Sequence, residues 1–220
     1  MGQGASGKGN TMNRPGKIVC VGRNYIAHAK ELGNTVPETP LLFFKPPSSV
    51  IGPGDSIQLP PTSKHVEHEA EIGVLVGQRM RHVREEEALR GVAGFTCVND
   101  VTARDIQRTE GQWVRAKGFD TFCPIGPTVL PMSDVEDWKQ LEVICRVNGA
   151  ERQRGHARDM AFGIPYLVAH ISEIMTLEPG DLIATGTPAG VSPLRAGDVV
   201  EIEIPGVGIL TNPVVPADAG

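Results

Sequence analysis

Long apolar runs are missing from this 220-residue chain. No stretch approaches the ~18 residues that a membrane-crossing helix requires, so no membrane partner is expected. A basic excess is missing too: 21 Lys and Arg stand against 26 Asp and Glu. The basic residues lie singly or in pairs, which leaves no electrostatic footprint for nucleic acid. Cysteine is sparse. Cys20, Cys97, Cys123 and Cys145 form no C-x-x-C pair, which removes zinc knuckles and redox dithiols. They read as buried reduced thiols of an intracellular protein. Aromatic residues make up 5% and form no stripe beyond what a core needs. A secretory h-region is absent as well, and the expected location is the cytoplasm.

Punctuation, by contrast, is plentiful: 26 Gly and 18 Pro. Residues 1–16 are rich in Gly, Ser and Asn without apolar periodicity and read as a flexible leader. Their Gly2-x-Gly4-x-x-Gly7 spacing lacks the strand and helix that would make it a dinucleotide fingerprint. Residues 17–220 read as a single domain.

Runs rich in Val, Ile and Leu predict strands over 17–22, 41–44, 56–59, 69–76, 94–99, 181–184, 198–204 and 208–211. The segments 141–147 and 151–154 flank Asn148-Gly149, a pair suited to a type I′ hairpin turn. Helical patterns cover 24–32, 84–90, 101–107 and 164–175. Many short strands with few helices predict a β-rich α+β fold, a sandwich or barrel-like roll with short helices at its periphery.

Glu67-His68-Glu69-Ala70-Glu71 leads directly into Ile72-Gly73-Val74-Leu75-Val76. On a strand Glu69 and Glu71 point the same way, about 7 Å apart. Two like charges entering a core repel, and desolvation worsens the repulsion. Protonation of one, or a cation between them, resolves it. Asp100 ends the strand-like run 94–99 and offers a third oxygen donor. Two Glu and one Asp suit a hard divalent ion such as Mg²⁺ or Mn²⁺. A solvated strand edge beside Lys64 and Arg79 is the plainer alternative. An iron site of His65, His68 and Glu71 is a third, although residues three apart on a strand face opposite sides.

His28 and Glu31 stand at i and i+3 of a helical stretch, where a carboxylate can orient an imidazole and raise its basicity. A plain surface pair has the same spacing. Lys117 lies among apolar neighbours, and a buried ammonium needs an anionic partner. Arg104, Asp105 and Gln107 follow Asp100 closely enough to line the same cavity. Thr187 sits in a tight turn, where its hydroxyl and amide could serve a carboxylate.

Taken together, several segments resemble the fumarylacetoacetate hydrolase family, especially its short acylpyruvate hydrolase and oxaloacetate decarboxylase branch. They are Val21-Gly22-Arg23-Asn24-Tyr25 with His28, Phe44-Lys45-Pro46, and His68-Glu69-Ala70-Glu71-Ile72. Asn99 to Asp105, Lys117 to Phe122 and Thr185-Gly186-Thr187-Pro188 complete the set. The resemblance implies a mixed β-sandwich roll, a homodimer, and one catalytic domain holding Mg²⁺ or Mn²⁺ on Glu69, Glu71 and Asp100. It implies catalytic roles for His28, Glu31 and Lys117, and substrate contacts for Arg104, Gln107 and Thr187. The activity implied is metal-dependent hydrolysis of the C–C bond of an acylpyruvate-type 2,4-diketo acid, with oxaloacetate decarboxylation at the same site. An isomerase or decarboxylase of a ring-cleavage product from aromatic catabolism is the alternative, and a non-catalytic metal or ligand-binding module a second one. Gly118 departs from the Ser of many members.

Overall fold

Short β-branched runs between Gly and Pro form fourteen strands and four α-helices among the residues described by the computed structural model, namely 14–31, 33, 35 and 37–217. The strands are β1 (Ile18–Gly22), β2 (Leu41–Lys45), β3 (Val50–Ile51), β4 (Ile57–Leu59), β5 (Val66–Glu67), β6 (Ala70–Val76) and β7 (Val92–Asn99). They continue as β8 (Thr102–Ala103), β9 (Cys123–Pro131), β10 (Glu142–Val147), β11 (Ala150–His156), β12 (Leu182–Ala184), β13 (Val199–Ile204) and β14 (Gly208–Pro216). The helices are α1 (Ile26–Glu31), α2 (Arg104–Thr109), α3 (Val114–Lys117) and α4 (Ile164–Ile174). Most of the leader expected over 1–16 lies outside the described residues.

Seven strands pair in the order β2-β1-β12-β6-β7-β9-β3, five in the order β11-β10-β13-β14-β4, and β5 with β8. The edges of the larger sheet, β2 and β3, are separated by only residues 46–49. A sheet whose first and last strands are so nearly consecutive must curl back on itself, and the result is a half-barrel. This is the β-rich roll expected from the strand pattern.

The two faces of the curled sheet bury different things, because successive residues on a strand point to opposite sides. Ile72, Val74 and Val76 of β6, with Phe95 and Cys97 of β7, pack on Val143, Cys145, Ile202 and Leu210 of the smaller sheet. Inside the curl a second apolar cluster gathers Ile18, Cys20, Val98, Cys123, Ile125, Leu182 and Ala184. A Cβ on Gly73 would lie 2.5 Å from the Val98 side chain, so the interior is tight enough to demand glycine there. Glu71, two residues before Gly73, therefore points to the same side.

Local chemistry explains where the elements depart from expectation. Residues 101–107 were expected to be helical, yet Thr102–Ala103 first pair with Val66–Glu67, and the helix begins only at Arg104. The run 84–90 winds as a 3-10 helix over Glu85–Gly91. β9 was not anticipated, since Pro124, Pro127 and Pro131 interrupt its pattern and proline cannot donate to a ladder. The 148–149 turn is as expected: Asn148 and Gly149 have φ of 53° and 76°, as a type I′ turn requires. No described helix is long and apolar enough to cross a membrane.

Candidate active site

Three acids meet at the mouth of the curl. Ala70 pairs with Asn99 at the end of the β6–β7 ladder, which sets Glu69 and Asp100 opposite each other just beyond it. The Asp100 amide donates to the Glu69 carbonyl at 2.8 Å, and the Glu69 amide donates to Asn99 Oδ1 at 3.0 Å. Glu71 enters from the next inward position of β6. One carboxylate oxygen each from Glu69, Glu71 and Asp100 lies within 4.8 Å of the others, and all three side chains are buried. Of the alternatives, the solvated edge is excluded by this burial. The iron site is excluded by direction: His65 bonds Glu67 at 2.8 Å, while His68 turns away to Gln153 and Ser192 at 2.8 Å each.

Basic groups ring the acids. The Lys117 ammonium, at the end of α3, donates to Glu69 Oε2 and Asp100 Oδ2 at 2.7 Å each. Lys45, the last residue of β2, donates to the other Asp100 oxygen at 2.7 Å. Arg104, opening α2, donates to Glu67 at 2.7 Å and to Glu69 at 2.5 Å. Lys117 was expected to hold an anionic ligand; its partners here are the acids themselves. Lys45 and Glu67 were not singled out as members of the site. Their signal was present in the sequence, since a Lys ending an apolar strand and a Glu beside the E-x-E both need buried partners.

Glu71 is the exception. It accepts the Gly186 amide at 2.8 Å, and among the described residues no Lys or Arg side chain pairs with it. Burial, reinforced by Asp100 and Glu69, pushes its carboxyl well above the usual range. For Glu69 burial acts the same way but is outweighed by Lys117 and Arg104, which hold its carboxyl well below that range. Burial alone would lower the Lys117 ammonium; Asp100 and Glu69 override it and raise its pKa. Four buried acids thus share three buried bases, and Glu71 is the acid left without a basic partner. A divalent cation beside Glu71 would supply that partner and leave the pocket suited to a small anion. The donor set, three convergent carboxylates with one lacking a counter-charge, fits such an ion.

His28 and Glu31 face the same cavity of about 960 Å³ as the acids, Lys117, Arg104, Gln107 and Thr187. His28 Nδ1 lies 3.1 Å from Glu31 Oε2, with the imidazole buried and the carboxylate half-open. Glu31 also accepts the Gly190 amide at 3.0 Å, which ties α1 across the site. Gln107 accepts from Arg104 at 2.5 Å. The Thr187 hydroxyl donates to the Ala70 carbonyl at 2.8 Å and accepts from Gln153 at 2.7 Å. Arg104, Gln107 and Thr187 therefore line the cavity, with the Thr187 hydroxyl and the Gln107 carbonyl oxygen already engaged. Asp105 is not part of it: its carboxylate binds Ser63 and the Lys64 amide. All four cysteines are free and buried. Burial lifts Cys97, Cys123 and Cys145 to about 12, so none is a ready nucleophile.

Comparison with known proteins identifies the family. The fumarylacetoacetate (FAA) hydrolase C-terminal family matches residues 17–215. An uncharacterized protein of Methanocaldococcus jannaschii is 50% identical over 199 residues, covering 90% of this chain and 83% of its own. Human mitochondrial oxaloacetate tautomerase is 43% identical over 213 residues, 93% of this chain and 68% of that protein. Among solved structures, 5-carboxymethyl-2-hydroxymuconate delta-isomerase from Mycobacterium smegmatis superposes with a TM-score of 0.86 at 45% identity, covering 93% of this chain and 80% of that one. The chain belongs to the fumarylacetoacetate hydrolase family.

Proposed function

We propose that this enzyme moves a proton at C3 of a small 2-oxo acid, interconverting its keto and enol forms, with oxaloacetate as the model substrate. The observation that carries the reading is the His28–Glu31 pair opening onto the same cavity as the three acids and Lys117. The names of the tautomerase and isomerase relatives favour it. Glu69, Glu71 and Asp100 would hold Mg²⁺ or Mn²⁺, which when bound supplies Lewis-acid polarisation of a keto group.

The chain's own groups do the rest. An ionised Glu31 only accepts hydrogen bonds, so it selects the His28 tautomer protonated on Nδ1. That leaves Nε2 as the base that takes the C3 proton and hands it to the C2 oxygen to give the enol, the reverse transfer giving back the keto form. Lys117, held beside the acids, places a fixed positive charge where the keto oxygen gains electron density. Arg104 keeps Glu69 ionised, and Lys45 holds the Asp100 carboxyl group in place, so the cage does not have to reorganise as the charge develops.

C–C hydrolysis of an acylpyruvate-type 2,4-diketo acid is the second reading, favoured by the openness of the cavity to water. His28 Nε2 would then take a proton from a water that adds to the C4 carbonyl. The C3–C4 bond breaks, C3 gains a proton, and pyruvate leaves with a carboxylic acid. Decarboxylation of oxaloacetate needs no water and ends in the same enolate. The homodimer implied by the family belongs with either reading.

Two substrates separate them. The purified protein, with and without chelator, is given oxaloacetate while decay of its enol absorbance is followed, and acetylpyruvate while pyruvate release is followed. Faster enol decay that collapses on chelation, without pyruvate release from acetylpyruvate, supports the first reading. Cleavage of acetylpyruvate supports the second, and full activity after thorough metal removal overturns both. His28→Gln should slow either reaction by about 10²-fold or more, the scale of a lost general base.

A further inference from the structure

The cavity continues away from the acids toward Arg23, Trp113 and Arg108, and this end has different electrostatics. Lys117 and Arg104 are each paired with two carboxylates. Arg23 is half-buried, and among the described residues it makes no hydrogen bond or ion pair. Its guanidinium carbon stands 6.0 Å from the centre of the Trp113 ring, a cation–π contact that leaves its hydrogen-bond donors unused. Arg108, on the exposed face of α2, is likewise without an acidic partner among the described residues. The one acid lining this end, Glu110, is taken by Arg115 at 2.6 Å.

The backbone is arranged for this. Arg23 has φ of 59°, the left-handed region that a non-glycine residue adopts only at a cost. The preceding Gly22 has no Cβ, and one there would lie 2.8 Å from the Trp113 ring. Trp113 can thus close on the chain at Gly22 and support the neighbouring guanidinium. Phe43 meets Trp113 edge-on at 5.2 Å and completes an apolar wall. An arginine beside an aromatic ring with unused donors, in the same cavity as a cage that suits a 2-oxo carboxylate head, is the arrangement that reads a second carboxylate.

We propose that Arg23, held by Trp113, is a specificity-determining residue that binds the distal carboxylate of a 2-oxo dicarboxylic acid. The inference rests on the reading of the acids as the site for the 2-oxo head. Arg108 is the outer member of the same anion-binding end.

The test uses two acids of equal length that differ only at the far end: 2-oxoglutarate and 2-oxopentanoate. Each is titrated calorimetrically into the Mg²⁺-supplemented full chain, wild type and variants. The wild type should prefer the dicarboxylate by at least tenfold. Arg23→Asn, a residue that tolerates the left-handed backbone, should erase that preference and leave 2-oxopentanoate binding within twofold. Arg23→Lys should restore only part of it, because an ammonium cannot meet a carboxylate with a two-pronged fork. Equal loss for both acids would make Arg23 a structural residue, and an unchanged preference in Arg23→Asn would also overturn the inference. If neither acid binds the wild type, the reading of the head site falls and this inference with it.

Discussion

The two faces of β6 are built from alternate residues of one seven-residue strand, and they solve opposite problems. Ile72, Val74 and Val76 fill the space between the sheets, where only volume and shape matter. Glu71 and Gly73 face the inside of the curl, where one residue places a carboxylate without a counter-charge and the other makes room for a close neighbour. Burial is equal on both sides; Glu71 and Ile72 are 2% and 0% exposed. The lesson is that burial alone does not mark a stabilising residue. Ile72 is inside because water excludes it, and Glu71 is inside at a cost that a cation can offset.

The largest expected effect tests that difference at Glu71. Glu71→Gln keeps the shape and the Gly186 hydrogen bond but cannot ionise to meet a cation. Activity should fall on the order of 10²–10³-fold, the scale of removing a fixed charge from a transition state. The metal-free protein should melt no lower than wild type, because an acid whose ionisation burial and its acidic neighbours oppose has gone. Wild type should gain melting temperature on adding Mg²⁺ and the variant should gain far less, as ligand linkage requires. A variant that keeps full activity, or gains as much from Mg²⁺ as wild type, would break the assignment of Glu71 to the ion.

One position along, Ile72→Ala sharpens the contrast. Deleting a buried branched side chain costs about 2–5 kcal/mol through lost transfer energy and the cavity left behind. Denaturant midpoints should register that loss, while kcat/KM of the folded fraction stays within a few-fold of wild type. A catalytic defect as deep as that of Glu71→Gln would mean that the two faces are not separable.

This separation was half legible in the sequence. The E-x-E entering an apolar run, and an Asp closing the facing run, announced the acids because like charges at a core entrance need an explanation. The His28–Glu31 spacing was equally readable, being local. Lys45 and Glu67 were harder to read, because their partners lie 55 and 37 residues away in the chain, Asp100 and Arg104 respectively. Which buried base meets which buried acid depends on how the sheet curls. The curl in turn depends on β9 and β3, one disguised by its three prolines and the other only two residues long. Arg23 was not singled out as a site residue for the same reason: nothing local says that Trp113, 90 positions later, will lie beside it.

The smallest expected effect lies on the core-facing side, beneath the acids. His68 is fully buried, bonded to Gln153 and Ser192. Burial lowers its pKa below the ordinary value, against the opposing pull of the Gln153 bond and of Glu67 and Glu69. The unfolded chain therefore binds this proton more readily than the folded one. Stability is fully present above the unfolded value of about 6.5 and declines as pH falls toward the folded value, by at most about 1.4 kcal/mol per pH unit for one group. Melting temperature recorded in steps from pH 7.5 to 5 should fall for wild type, and more gently for His68→Gln, whose amide can still bond its neighbours. Parallel slopes would mean that His68 accepts a proton in place. The polar layer under β6 would then behave like the charged cage above it, and the contrast between the two faces would lose its physical basis.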